Sequence, residues 1–341
     1  MEYLSRNLAS LKQERVFKYH PRCAKLGITH LSFADYLLLF AIGDQKTVQM
    51  MQQKFYQFTQ ASGLQANLSK SEAYFGGVPL VDKQQILQML GLSNGELPFK
   101  YLGVPLSTKK LSIMQWQPLI DKMTTRITSW TAKTLSYAGR VQLVQSVLFG
   151  IQAFWVQLFI LATKVIKIVE GLCRSYIWSG TNEITRKALL AWDRVFLPKA
   201  GGGLNFVNLK LWNKAAIAKH CWDIAHKQDK LWIRWIHTYY IKNQQMSTTP
   251  TPQQACSMVR KVIEAHGILE TRQFMHTHNR SLIRQIYLHL LGDYSRVEWK
   301  TLMFNNAARP KAKFIMWLMM HGRLMTSDRI ANWRLMLTHN V

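Results

Sequence analysis

His30-Leu31-Ser32-Phe33-Ala34-Asp35-Tyr36-Leu37-Leu38-Leu39-Phe40 reads as two short apolar β-runs meeting at Ala34-Asp35-Tyr36. The runs are rich in Phe and Leu, and Gly27 and Gly43-Asp44 bound them, which predicts a buried strand-turn-strand. A carboxylate at the tip of such a hairpin is costly to bury unless water or a cation solvates it. Adjacent carboxylates on a tight hairpin, with another on a neighbouring strand, can hold two Mg²⁺ for in-line displacement at phosphorus. Here one Asp is followed by a Tyr, and a lone Asp in a turn is most often a turn residue.

The charge balance points to a polyanionic partner. Lys and Arg total 44 against 18 Asp and Glu, a formal net charge of +26, and the isoelectric point is near 10.1. The cations are spread along the chain among Trp, Tyr and Phe rather than gathered in a tail, which favours nucleic acid over a merely solvated basic surface. With 341 residues, 48% hydrophobic content and 12 Trp, the chain reads as globular, not disordered. Its 4 Cys (Cys23, Cys173, Cys221, Cys256) are far apart with no Cys-x-x-Cys, which predicts reduced thiols in an intracellular protein, nuclear or cytoplasmic. Arg6 and Lys12 break any apolar run that would serve as a signal peptide. The apolar stretch 141–169 is interrupted by Gln142, Gln145, Gln152, Gln157, Lys164 and Lys167, which predicts a buried helix and no membrane partner.

Periodicity places the helices. Leu4, Leu8 and Leu11 share one face of an N-terminal helix. Asp44 is the expected N-cap of a helix running to about residue 61, with Val48, Met51, Phe55 and Phe58 inward and Gly63 as its stop. Asp44 as a second metal ligand is the sharper alternative, but it lies at the far end of the strand from Asp35. Trp116, Leu119, Ile120, Met123 and Ile127 keep helical spacing, and Leu135-Ser136-Tyr137-Ala138-Gly139-Arg140 opens the next helix. Gly201-Gly202-Gly203 lacks the strand and Lys-Ser/Thr of a phosphate loop and reads as a turn between helices. Residues 243–254 shift to Gln, Ser, Thr and Pro, a linker composition.

Phe33-Ala34-Asp35-Tyr36 resembles the Phe-Ala-Asp-Asp signature of reverse transcriptases in LINE-type non-LTR retrotransposons, plant elements especially. Met1-Glu2-Tyr3-Leu4-Ser5-Arg6, His20-Pro21-Arg22-Cys23, Ser62-Gly63-Leu64, Asn67, Lys70-Ser71 and Tyr101-Leu102-Gly103-Val104-Pro105-Leu106 continue the likeness in order, so it covers nearly the whole chain. The resemblance implies a mainly α-helical α+β fold in four segments. Residues 1–107 would be a partial palm with a small antiparallel β-patch near Asp35, Tyr74 and Tyr101, and 108–242 a helical thumb. Residues 243–256 would be a linker, and 257–341 a truncated reverse-transcriptase zinc-binding domain. Asp35 is then the remaining Mg²⁺ ligand and Tyr36 the degenerate second position. Lys70 matches the Lys that protonates leaving pyrophosphate, and Tyr101, Leu102 and Gly103 match the primer grip, a β-run ending at Pro105.

Lys133, Arg140, Lys164 and Lys167 are the candidate phosphate contacts to an RNA/DNA template–primer, each otherwise a solvated helix-face charge. The dNTPs of the family would be the remaining small-molecule substrate. No zinc is expected, since His276, His278, His321 and His339 have no Cys at ligand spacing. A phenol of unperturbed pKa ~10 is a poor Mg²⁺ ligand, and before Asp35 only Glu2 and Glu14 are acidic, neither in an apolar β-run. The implied reading is an inactive remnant of an RNA-directed DNA polymerase whose frame opens inside a longer one. The alternative is a non-catalytic basic nucleic-acid-binding protein that keeps the thumb. A palm lacking part of its sheet would expose strand edges and apolar surface.

Overall fold

The computed structural model describes residues 1–107, 111–131, 134–242, 244–271, 281–324 and 326–327. They fall into two compact units, Met1–Lys110 with Asp223–Ser257, and Leu111–Trp222 with Met258–Val341. The units divide the chain differently from the four segments expected above: 223–257 belongs with the first, and 258 onward joins 111–222.

In order, the chain runs α1 (Glu2–Ala9), β1 (His30–Phe33), β2 (Tyr36–Leu39), α2 (Gln45–Ser62), β3 (Glu72–Ala73), α3 (Leu80–Leu90), β4 (Ser93–Asn94), β5 (Phe99–Tyr101) and β6 (Val104–Leu106). There follow α4 (Gln117–Thr131), α5 (Tyr137–Leu143), α6 (Phe149–Leu158), α7 (Thr163–Ser179), α8 (Trp192–Phe196), α9 (Leu209–Ala225) and α10 (Leu231–Ile236). Among the described residues there then follow α11 (Ser257–Glu264), α12 (His266–Glu270), α13 (Leu282–Leu291), α14 (Lys300–Phe304) and α15 (Pro310–Met320). The fold is mainly helical α+β, as the periodicity predicts.

The core of the first unit follows from two amphipathic stripes. Leu4, Leu8 and Leu11 are fully buried against Met51 and Phe58 of α2, with Phe17 closing the cluster and Leu37 of the hairpin packing on it. Asp44 caps α2: its carboxylate accepts the Thr47 amide at 3.0 Å and the Thr47 hydroxyl at 2.7 Å. Gly63, at φ 69, ends the helix in the left-handed conformation glycine adopts without strain.

Among the described residues the strands form three separate two-stranded pairs. β1–β2 and β5–β6 are antiparallel. The antiparallel patch expected at Tyr74 is corrected: Glu72 and Ala73 pair in parallel with Ser93 and Asn94, because α3 forms a crossover between them, and Tyr74 follows β3. The expected burial of the β1–β2 hairpin is also corrected. Phe33 is 61% exposed, and Leu31, Tyr36 and Leu39 are open to water as well. Continuous apolar runs imply a strand covered on both faces, but among the described residues no third strand pairs with this ladder. Pro105 does not end a strand but sits inside β6, opposite Lys100.

In the second unit, Trp116, at the end of the turn before α4, and Leu119, Met123 and Ile127 of α4 are buried, while Ile120 of the predicted face is half-buried. α7 is buried along most of its length. Asn213 of α9 donates to the carbonyls of Val156 and Phe159, both at 2.7 Å, and accepts the Leu161 amide at 3.0 Å, so a buried amide fixes the α6–α7 corner. The helical run Tyr137–Leu158 is long and apolar enough to cross a membrane by length and composition alone, which corrects the polarity argument for this stretch. Two of its glutamines have protein partners: Gln145 donates to the Leu204 carbonyl at 2.7 Å, and buried Gln152 lies 3.6 Å from Cys173 Sγ.

The glycine run is a turn between α8 and α9, as read. Gly202 adopts φ 80, and a Cβ on Gly201 would come within 2.8 Å of the Tyr294 ring. A Cβ on Gly203 would overlap the Leu197 carbonyl, which is backbone and cannot swing away. Gly203→Ala is therefore expected to destabilise the second unit by about 1–3 kcal/mol. Gly150→Ala, in open space on α6, is expected to stabilise by roughly 0.5–1 kcal/mol. Chemical denaturation of both variants checks the pair.

Candidate nucleic-acid interface

The hairpin register pairs Phe33 with Tyr36 and leaves Ala34-Asp35 as a two-residue turn. Two-residue hairpin loops of the kind that match strand twist need positive φ at the first central position, and Ala34 supplies it at φ 51. Asp35 is thereby held at the exposed tip. Tyr36, the next residue, turns its ring against Tyr101: the centroids are 5.4 Å apart and the planes cross at 72°. Tyr101 ends β5, and the turn after it, Leu102-Gly103, has positive φ at both residues, 50 and 79. The candidate catalytic hairpin and the candidate primer-grip hairpin are thus joined by an edge-to-face aromatic pair.

A second ring pair continues from the first. Tyr74 and Phe99 lie 4.6 Å apart. Burial, together with the hydrogen bond Tyr74 donates to Glu72 and the charge of that carboxylate, pushes the Tyr74 phenol up to about 12. Tyr74 is therefore a neutral donor at physiological pH. Lys70 ends a short 3₁₀ turn, Leu68–Lys70, and is exposed.

The candidate phosphate contacts separate. Lys133 lies outside the described residues. Lys164 and Lys167 stand exposed in the first turn and a half of α7, three residues apart on one face, with no acidic residue in that turn to offset them. Arg140 has a structural role: its guanidinium donates to the Ile177 carbonyl at 3.2 Å near the C-terminus of α7 and sits 5.4 Å over the Tyr137 ring. A cation at that end of a helix complements the macrodipole.

Cations and aromatics the sequence reading did not single out converge elsewhere in the first unit. The Arg22 guanidinium donates to the Tyr240 hydroxyl and lies 5.8 Å from the ring centroid. Lys25 lies 5.7 Å from the Tyr239 centroid, and the Lys25 amide donates to the Tyr239 hydroxyl at 3.2 Å. Trp235 Nε1 donates to the Arg22 carbonyl at 2.8 Å. Trp235, Tyr239 and Tyr240, flanked by Arg234 and Lys242, are a sequence signal for such a patch. Its partner loop, though, lies 213 residues away from Trp235.

No group of three His, Cys, Asp or Glu among the described residues is arranged to hold a metal ion. A two-Mg²⁺ site does not fit the hairpin: beside Asp35 stands a phenol packed on another ring. His321 Nε2 donates to the Gly202 carbonyl at 2.8 Å, and His289 shares a 2.8 Å hydrogen bond with Thr271. His276, His278 and His339 lie outside the described residues.

The α13–α15 segment has recognisable relatives. Residues 282–340 match the family model described as zinc-binding in reverse transcriptase. That span begins at α13. It contains His289, His321 and His339 and no Cys. A protein of Arabidopsis thaliana that carries the name of a ribonuclease H protein is 28% identical over 129 residues, 38% of this chain and 21% of that protein. The aligned stretch therefore spans about a fifth of that relative's length. Together these findings support kinship with retrotransposon reverse-transcriptase proteins.

Two measurements test this geometry. A double-mutant cycle on Tyr36→Ala and Tyr101→Ala is expected to give a coupling of about 0.5–1.5 kcal/mol, the usual worth of an edge-to-face pair. In α7, burial and the Asp193 carboxylate push Glu170 up to about 7, against partial relief from Arg174. The folded state then keeps a proton that the unfolded chain loses near 4.5, so the contribution of Glu170 to stability falls as pH rises from there to about 7. Because Glu170 is partly open to water, Glu170→Gln is expected to gain only about 1–2 kcal/mol at pH ~8 and nothing near pH ~4, read by urea denaturation.

Proposed function

We propose that this chain derives from a LINE-type reverse transcriptase, binds RNA–DNA template–primer, and has no polymerase activity of its own. The observation that carries the loss of activity is the Tyr36–Tyr101 contact. Where the resemblance expects a second metal-binding carboxylate, a phenol is seated on the neighbouring hairpin. Each ~1.4 kcal/mol of transition-state stabilisation is tenfold in rate, and a hairpin with a single exposed carboxylate lacks the paired charge that two-metal transfer uses. Asp35 is a vestigial ligand in this reading, and Lys70 has no pyrophosphate to protonate.

Binding is supported by the net charge of +26 and by the exposed pair Lys164 and Lys167. In this reading residues 282–340 extend the unit that carries those lysines without a need for zinc.

The test is a salt titration of a labelled RNA–DNA primer–template against the full chain, with Mg²⁺ and dNTPs present and primer length read afterwards. The expected result is binding that weakens with salt at a log–log slope of about −0.7 to −0.9 per phosphate contacted, with no extension. Lys164→Gln with Lys167→Gln is expected to flatten the slope by about two. Extension that disappears in Asp35→Ala would show an active polymerase, and salt-independent or absent binding would remove the nucleic-acid reading.

A further inference from the structure

The cation–aromatic patch opens into a cavity of about 400 Å³ lined by Arg22, Tyr239, Tyr240, Lys242, Pro252, Gln253 and Gln254. The lining holds two cations and no carboxylate. We infer that this cavity takes one unstacked nucleotide of a single-stranded nucleic acid, with its phosphate on Arg22 and Lys242 and its base against the Tyr239–Tyr240 pair. The inference rests on the reading of the chain as a nucleic-acid binder.

Four features carry it. A pocket of this size suits a small ligand, not a helix or a duplex groove. Tyr239 and Tyr240 lie on a π-helical turn, His237–Ile241, an irregularity that recurs at functional sites because it re-aims consecutive side chains. Lys242, the residue that ends this turn, is held at φ 57, ψ −123, a conformation strained for any residue with a Cβ. Its amide is fixed there by the His237 carbonyl at 2.6 Å. Finally, the rings are anchored before any ligand arrives. Trp235 packs on Tyr239 and Tyr240 at 5.5 and 5.4 Å, and the Arg22 loop is tied to all three aromatics.

This is the chemistry of a single-strand reader. An aromatic face stacks any base once it leaves its helix, and preorganised cations fix the backbone beside it. Arg22 keeps further donors beyond the one given to Tyr240. Gln253 and Gln254 add amides that can both donate and accept at a base edge.

The experiment titrates labelled oligouridylate and oligothymidylate of roughly 12 nucleotides, and a duplex of matched length, against the full chain. Tyr240→Ala is expected to weaken both single strands by about 5- to 100-fold and the duplex by less than about twofold. Lys242→Gln, at an exposed position, is expected to keep the fold and to flatten the single-strand salt slope by about one. A 5-iodouracil oligonucleotide is expected to crosslink within 235–242. A stronger effect of both variants on oligouridylate than on oligothymidylate would assign the pocket to RNA, and equal effects to either strand.

Single-strand affinity unchanged in both variants, or lost equally with duplex affinity, overturns the pocket. Should Tyr240→Ala fail to fold, Lys242→Gln and the crosslink site decide. A chain that binds duplex but no single strand overturns this inference and leaves the proposed function standing. A chain that binds neither removes both.

Discussion

The Gly202 carbonyl accepts two hydrogen bonds at 2.8 Å, one from Trp317 Nε1 and one from His321 Nε2, both near the C-terminal end of α15. Trp317 is fully buried, so its indole N–H needs that partner to avoid a desolvation penalty of about 1–3 kcal/mol. The carbonyl is reachable because Gly201, Gly202 and Gly203 present backbone with no Cβ. Tyr294, Val297 and Trp299 occupy the space that side chains would have filled. The Val297 backbone N–H donates a hydrogen bond to the Ala200 carbonyl at 2.9 Å, and Lys199 lies 5.2 Å over the Phe304 ring. The segment that resembles a reverse-transcriptase zinc-binding domain is therefore docked on a glycine turn through backbone and aromatic contacts.

The first unit solves a different problem. Its helical stripes close a small core, but its strands are pairs, and an isolated pair leaves apolar side chains in water. Rings compensate in part. Tyr36 on Tyr101 and Tyr74 on Phe99 link strand pairs that share no ladder. Such contacts remove apolar area and set the orientation of neighbouring strand pairs, and the Tyr74 phenol keeps its polar end on Glu72. The tyrosine after Asp35 is thus a packing residue.

Charge and aromatic surface combine where the chain meets solvent. Arg140 is drawn inward to serve α7, while Lys164 and Lys167 stay exposed on it, so cations close together in sequence have different duties. Net charge alone brings a polyanion near. The Arg22–Tyr240 and Lys25–Tyr239 contacts add shape to that attraction by holding cations beside ring faces.

Local physics made much of this legible in advance. Leu4, Leu8 and Leu11 declare a helix face because helix bonds span four residues, and Asp44 and Gly63 mark the ends of α2 through groups at most four residues away. The turn at Gly201–Gly203 and the buried stripe of α4 were readable for the same reason. The lone Asp before a Tyr was also visible, and with it the chemistry in question. What the order of residues could not specify were pairings between distant segments. These include Trp317 on Gly202, 115 residues apart, and Arg22 on Tyr240, 218 apart. The parallel pairing of β3 with β4 and the open face of the β1–β2 hairpin belong with them. Those depend on which surfaces the folded chain brings within hydrogen-bond or ring-contact reach, and that is decided only when every segment competes for the same partners at once.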